Sequence, residues 1–350
     1  MNMRRPTRKV RVGDLWMGGD APVSVQSMTN TDTRDVQATL KQIRTLAEAG
    51  CEIIRAAVPD QEAAEALARI KAACPIPLVA DIHFDYRLAI ASIQSGADKV
   101  RINPGNLGGR DKLLKVAAEA KKRGVALRVG VNSGSLDKDL AEAYSGPFAE
   151  ALAESALRST GMLLEQGFTD IVVSLKSSSV LETVAAYRAF SQKSDLPLHL
   201  GVTEAGTCYA GTVKSAIGIG SLLLDGIGDT LRVSLTGDPL EEIKAGRQIL
   251  RSLDMLSEGI TFISCPTCGR CRVDLAGIAA EVEKRLEGSR KKLKVAIMGC
   301  EVNGPGEARE ADVGLAGGNG CLMLFRKGLP VRRIPEKDAV TELLKEIEML

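Results

Sequence analysis

"PVSVQSMTNTDT", residues 22–33, runs from a strand-like apolar stretch into a turn that contains no glycine. An open, doubly wound α/β sheet that binds a dinucleotide usually places a Gly-rich turn directly after its first strand. This stretch lacks that turn, and the rest of the chain has to be accounted for differently. Seven further runs share its texture: "CEIIRAAV" (51–58), "PLVADIHF" (77–84), "KVRINPG" (99–105), "ALRVGVN" (126–132), "DIVVSLKS" (170–177), "PLHLGVTEAG" (197–206) and "TLRVSLTG" (230–237). They are rich in Val, Ile and Leu and bounded by Gly, Asp or Pro, as strands buried on both faces of a parallel sheet are. Amphipathic stretches such as "DVQATLKQIRTLAEAG" and "YRLAIASIQSG" lie between them, the second ending in the glycine that favours a helix C-terminus. Eight strands, each with a following helix, in about 230 residues predict a (β/α)8 TIM barrel over residues 1–257.

Beyond that point the texture changes. "TFISCPTCGRC" leads into a helix-like "VDLAGIAAEVEKRLEGS", a strand-like "KVAIMGC", a Gly-rich "VNGPGEARE", the apolar runs "ADVGLAGG" and "CLMLFRKG", and a last helix from about Glu336. This is a second, small α+β domain, expected over residues 258–350.

The composition bounds the function. Of 350 residues, 45% are apolar and 26% charged, with a net charge of +2. That charge balance carries no electrostatic footprint for nucleic acid or an anionic membrane, and 3% aromatics speaks against base stacking. The basic start "MNMRRPTRKVRVGDL" has no apolar segment behind it, and no run approaches the roughly 18 apolar residues of a membrane span. A cytoplasmic protein is expected. Eight cysteines in a chain this long do not read as a secreted disulfide framework.

A barrel enzyme carries its site at the C-terminal ends of the strands. Five strand candidates place a cation there: Arg55, Arg101, Arg128, Lys176 and Arg232. Any one of them could be a paired core or rim charge. Five on one closed sheet converge on one mouth, where they repel one another unless an anion neutralises them. The guanidinium fork suits phosphate, so a strongly anionic ligand with more than one phosphate is expected. Asp81, His83, Asn103, Asn132 and Ser234 share these strand ends, and so does Glu204, which beside a dry pocket could donate a proton or stay ionised against the arginines. His199, earlier in its strand, fits a structural role.

"CPTCGRC" (265–271) could hold zinc or an iron–sulfur cluster. A zinc ribbon needs a second paired knuckle, and only Cys300 and Cys321 follow. The ferredoxin run C-x2-C-x2-C-x3-C-P lacks its end here, and the spacing is not the C-x3-C-x2-C of radical S-adenosylmethionine enzymes. Cys265 and Cys268 with a distant Cys300 favour iron–sulfur, with a structural zinc knuckle on a phosphate-binding barrel, or a nucleic-acid-binding zinc module, as alternatives.

"APVSVQSMTNTDTRD", "ADIHFDYRLA", "VRINPGN", "RVGVNSGSL", "SLKSS", "GVTEAG", "LRVSLTGDP", "ISCPTCGRC" and "GCEVNGPGEA" occur in the order found in bacterial 4-hydroxy-3-methylbut-2-enyl diphosphate synthases of the methylerythritol phosphate route to isoprenoids, and the sequence resembles that family from about Arg4 to its end. The resemblance implies the two-domain form, with one 4Fe–4S cluster per subunit held by Cys265, Cys268, Cys300 and Glu307. It implies a two-electron reductive ring opening and dehydroxylation of 2-C-methyl-D-erythritol 2,4-cyclodiphosphate, with ferredoxin or flavodoxin as donor. Glu204 and Glu307 would be catalytic. Asn303 would join the strand-end residues in binding substrate, and Cys271 has no required place. A head-to-tail homodimer with composite sites is also implied.

Overall fold

A computed structural model describes residues 4–132, 140, 148–256, 258–300, 310–318 and 320–350. They form two compact units, Met1–Met255 and Leu256–Leu350.

In the first unit, eight parallel strands run in the order β8-β7-β6-β5-β4-β3-β10-β9. They are β3 (Ser24–Met28), β4 (Ile53–Ala57), β5 (Leu78–Asp81), β6 (Lys99–Ile102), β7 (Ala126–Asn132), β8 (Ile171–Lys176), β9 (His199–Leu200) and β10 (Thr230–Leu231). A parallel bridge between Val173 and Leu198 joins β8 to β9 and closes the ring as the expected TIM barrel. Side-chain caps start the surrounding helices where the sequence supplies Asp or Ser. Asp35, Asp60, Asp85, Ser179 and Asp238 each accept an amide N–H of the first turn.

Parallel strands in a closed barrel are staggered, so inward side chains stack in layers drawn from alternate strands. Followed around the pairing register, the layers are informative. Above Ser24 and Ala126 at the bottom lie Ile53, Lys99, Val172 and Thr230. Gln26, Val79, Arg128 and His199 come next, then Arg55, Arg101, Ser174 and Arg232. Met28, Asp81, Gly130 and Gly201 follow, and Ala57, Asn103, Lys176 and Ser234 reach the rim. Most barrels fill these layers with branched apolar residues; this one fills its upper layers with charge.

The floor is apolar. A hairpin of β1 (Val10–Val12) and β2 (Leu15–Met17), which the sequence reading left unassigned, packs Val10, Val12 and Met17 against Ile53, Val79, Ala126 and Val172. It seals the N-terminal end of the barrel and holds water away from the cations above.

The second unit is a five-stranded sheet in the order β11-β12-β13-β14-β15. β11 (Ile260–Ser264), β12 (Leu293–Met298) and β13 (Val313–Gly317) are parallel, while β14 (Cys321–Arg326) and β15 (Leu329–Pro335) return antiparallel. The helices Leu275–Arg285 and Ala339–Glu348 contribute Ile278, Val282, Leu343 and Ile347 to one core with Val295, Ile297, Val313 and Leu324. β15 has the exposure pattern of an edge strand, and Pro330, Arg332 and Arg333 blunt that edge against pairing with another chain.

Only one backbone bridge joins β8 to β9, and a side chain reinforces the seam. The hydroxyl of Tyr187, on the helix Val180–Ser191, donates to the His199 carbonyl and accepts the Leu175 N–H at 3.1 Å. Removing it leaves a buried carbonyl and a buried N–H without partners. Tyr187→Phe should therefore lower unfolding stability by about 1–3 kcal/mol. Urea denaturation checks this; an unchanged midpoint would dismiss the hydroxyl as a seam bond.

Candidate active site

The five strand-end cations converge. Arg55, Arg101, Arg128 and Lys176 are all buried, and Arg232 is nearly so. Lys99, which the sequence reading passed over, is a sixth cation, fully buried on β6 with its Nζ 3.5 Å from Met17 Sδ. Two carboxylates answer them. Asp81 lies 3.3 Å from Arg101 Nη1 and 3.9 Å from Arg55 Nε, and 3.3 Å from the His83 ring. Burial alone would raise the Asp81 carboxyl, but Arg55, the bond from His83, and then Arg101 and Arg128 outweigh it and hold the group well below the usual carboxylate range.

Glu242, on the helix Pro239–Ser252, is the second carboxylate. It accepts from Arg232 Nη2 (3.1 Å) and Nε (3.3 Å), Ser27 Oγ (2.9 Å) and the Leu235 N–H (3.1 Å). The sequence reading missed it because it sits on a helix rather than a strand end; the available signal was a Glu in the turn after "GDP", directly following Arg232's strand. Met28 was missed as well. Its Sδ is 3.1 Å from both Nε and Nη2 of Arg55 and 3.8 Å from Arg232 Nη1, so one thioether lies between the two guanidinium groups.

Four arginines and two lysines sharing two carboxylates leave an excess of positive charge in a place water reaches poorly. The consequences are visible group by group. Burial pushes Arg55 down to about 10, against the pull of Asp81. Burial, then Arg55 and Arg101, lowers Arg128, whose Nε and Nη1 have no hydrogen-bond partner among the described residues. Lys176 falls well below the lysine range through burial and then Arg128, Arg55, Arg232 and Arg101. His199, wholly buried beneath them, is held neutral by burial and by Arg128 and Lys176. Glycine makes room for the long cations. A Cβ at Gly130 would lie 3.0 Å from Arg101 Nε, and one at Gly201 3.0 Å from Lys176 Nζ and 2.7 Å from the Arg232 carbonyl.

The remaining strand-end residues ring this cluster. His83 is half exposed and Phe84 beside it is 73% exposed. Asn103 accepts the Gly105 N–H at 3.2 Å and starts the short helix Pro104–Leu107, so part of its hydrogen-bonding capacity is used locally. Asn132 ends β7, and Ser234 lies half-buried past β10. Glu204 departs from expectation. It is exposed rather than set in a dry pocket, in the loop after β9, and its backbone takes the left-handed φ of 51°. A non-glycine residue there costs conformational energy, and such strain gathers at functional loops.

In the second unit, Cys265 and Cys268 follow β11 and Cys300 follows β12, two parallel neighbours whose ends share one edge of the sheet. The Gly299 N–H donates to Cys265 Sγ at 3.2 Å, which ties the two thiol segments together. Cys271 Sγ lies 3.3 Å from the Val273 carbonyl and, like Cys265, packs against the apolar core, with Gly299 beside it. Asn303 and Glu307 lie outside the described residues.

Residues 7–247 match the GcpE TIM-barrel domain, and residues 261–349 match the GcpE protein C-terminal domain. This chain belongs to the GcpE family. The chain is 59% identical over 344 residues to a protein of Ruminiclostridium cellulolyticum named 4-hydroxy-3-methylbut-2-en-1-yl diphosphate synthase (flavodoxin), covering 98% of each chain. It is 58% identical over 348 residues to the Geobacter sulfurreducens protein of the same name, covering 99% of each. Among solved structures, the type I 3-dehydroquinate dehydratase of Clostridium difficile aligns with a TM-score of 0.53 at 14% identity, over 71% of this chain and 98% of that one. A dihydropteroate synthase from Coxiella burnetii aligns with a TM-score of 0.51 at 12% identity, over 70% and 98%. At such identities these last two bear on the fold alone. The GcpE matches cover both units, so the cationic mouth and the thiol edge belong to one GcpE protein.

The lowered lysine gives this mouth a proton signature. An anion bound among the cations raises the Lys176 ammonium back toward its ordinary value, so binding takes up a proton at pH values between the free-state and bound-state titrations. Affinity then falls as pH rises through the bound-state titration. Calorimetric titration of inorganic diphosphate in buffers of different ionisation enthalpy should show net proton uptake, reduced in Lys176→Met. Release of protons, or no exchange at all, would contradict it.

Proposed function

We propose that this chain is a cytoplasmic 4-hydroxy-3-methylbut-2-enyl diphosphate synthase. It takes 2-C-methyl-D-erythritol 2,4-cyclodiphosphate, adds two electrons and two protons, opens the ring and releases water. The observation that carries the reading is the convergence of Arg55, Arg101, Arg128, Lys176 and Arg232 on one barrel mouth with, among the described residues, Asp81 and Glu242 paired to them. A cyclic diphosphate supplies the missing negative charge on two phosphoryl groups, and planar guanidinium forks bind such oxygens in a fixed orientation.

The barrel's share of the work is to bind and orient. Asp81 and Glu242 each grip a flank of an arginine, which fixes where the remaining N–H groups point before any ligand arrives. His83, Asn103, Asn132 and Ser234 surround the cations and would accept or donate to the polyol oxygens. Glu204, on its strained loop, would hold or deliver a proton at the reacting carbon.

The family implies a 4Fe–4S cluster, and the donor chemistry of the residues suits one, though among the described residues no three His, Cys, Asp or Glu side chains stand grouped to hold a metal ion. Cys265, Cys268 and Cys300 are soft donors from one sheet edge, and a backbone N–H already points at Cys265 Sγ, the kind of bond that tunes a cluster. With Glu307 as a hard oxygen fourth ligand, a cluster held there would pass electrons one at a time from a flavodoxin donor and would supply Lewis-acid chemistry to a substrate oxygen. The family resemblance gives Cys271 no place in the ligand set, and its thiol has the Val273 carbonyl as a partner.

The same reading makes the enzyme a head-to-tail homodimer, in which the cluster unit of one subunit serves the barrel of the other, closed by two-fold symmetry.

Iron and acid-labile sulfide analysis of anaerobically purified protein tests the cluster directly. Both should be present in the parent and in Cys271→Ser, and lost in Cys265→Ser, Cys268→Ser and Cys300→Ser. Zinc in place of iron, or loss of the chromophore on Cys271→Ser alone, would overturn the assignment. For the assembly, an inactive Cys300→Ser chain mixed with an inactive Glu204→Ala chain should regain activity, because a mixed dimer holds one intact composite site. No rescue in verified heterodimers would show that each chain serves its own barrel.

A further inference from the structure

Glu242 grips one cation of the mouth, Arg232, and that connection defines a role for it. Arg232 directly follows β10, whose pairing with β3 ends at Leu231 and Val25. Above that point the two strands have no ladder bonds in register, and the Arg232 guanidinium lies at the open seam. Glu242 comes to the same seam from the barrel wall, buried and carrying four hydrogen bonds. Two come from the Nε and Nη2 edge of Arg232. The other two, from Ser27 Oγ and the Leu235 N–H, fix the carboxylate to β3 and to the chain just past β10. The guanidinium is therefore held by one edge, and its free corner, Nη1, points toward Met28 Sδ and the Arg55 side of the mouth.

We propose that Glu242 is a positioning residue for diphosphate binding: it clamps one edge of Arg232 so that the other is presented to a phosphoryl group. The inference rests on the reading of the mouth as the diphosphate site. An unclamped arginine in this cluster would be driven outward by Arg55, Arg101 and Arg128 and would have several rotamers to choose from. The carboxylate removes that freedom and offsets the repulsion, so less order remains to be imposed when the anion binds. The anchoring bonds matter equally. A glutamate held only by Arg232 would follow the arginine wherever it went.

A double-mutant cycle on the dimeric holoenzyme tests this, with Glu242→Gln, Arg232→Ala and the double variant. KM for the cyclic diphosphate and the affinity for inorganic diphosphate are both measured. Glu242→Gln should weaken inorganic diphosphate binding and raise KM by about tenfold, with a smaller change in kcat. In the Arg232→Ala background the same change should have no further effect beyond about twofold, because the arginine it acts through is gone. Iron content and thermal midpoint distinguish this from simple loss of structure, and Glu242→Asp provides a second variant should the glutamine protein fold poorly; it should recover part of the affinity. Effects that multiply in the double variant would overturn the proposal, as would full affinity in Glu242→Gln. If Arg232→Ala itself binds inorganic diphosphate normally, the mouth is not the diphosphate site, and the reading beneath the proposal fails in a way the cycle makes visible.

Discussion

Like charges enclosed in a barrel that water barely enters are the constraint on which the first unit depends. Arg55, Arg101, Arg128, Lys176 and Lys99 are all buried within one ring of strands. Left alone they would cost more than a domain's whole margin of stability. Asp81, set between Arg55, Arg101 and His83, and Glu242, wrapped around Arg232, offset part of that cost. The rest is borne as lowered proton affinity at Lys176, Lys99 and Arg128. A barrel core made this way is less stable than one of Val and Ile, and function is what compensates for the difference.

The hairpin under the barrel and the glycines inside it make this charge usable. Val10, Val12 and Met17 close the floor, so the mouth is the end from which an anion can approach. Gly130 and Gly201 take no side-chain volume at the level where Arg101 and Lys176 extend. The second unit solves a different problem with the same economy. Parallel β11 and β12 bring their C-terminal ends to one edge, where the Gly299 N–H beside Cys300 reaches Cys265 Sγ, and a helix pair buries the sheet.

The barrel was legible because its strands are buried on both faces and leave nearly continuous apolar runs; "ALRVGVN" is a strand from end to end. The convergence of the cations was legible for the same reason, since each interrupts an apolar run of one closed sheet. What escaped the sequence reading was what tertiary contact alone creates. The runs "PLHLGVTEAG" and "TLRVSLTG" pair over only His199–Leu200 and Thr230–Leu231, because the chain leaves the ladder early to form the loop with Glu204 and the seam with Arg232. Glu242 and Met28 carry no local pattern that marks them. Glu204 was expected in a dry setting and is exposed, since exposure depends on neighbours that a strand-end position does not specify. The hairpin at residues 10–17 is too short to show a period.

Those two short strands divide the ring mechanically. From β4 through β8 each pair of neighbours is joined over three to six residues, while β9 and β10 are held over two. Opening free energy follows the density of such bonds. One arc of the barrel is therefore stiff and carries Arg55, Asp81, Arg101, Arg128 and Lys176 at set spacings. The other arc is compliant and carries Glu204 and Arg232. A ligand is measured against the first and accommodated by the second, so a substrate and a product that differ in shape but share a diphosphate can be held by one frame, with the adjustment confined to a third of its circumference.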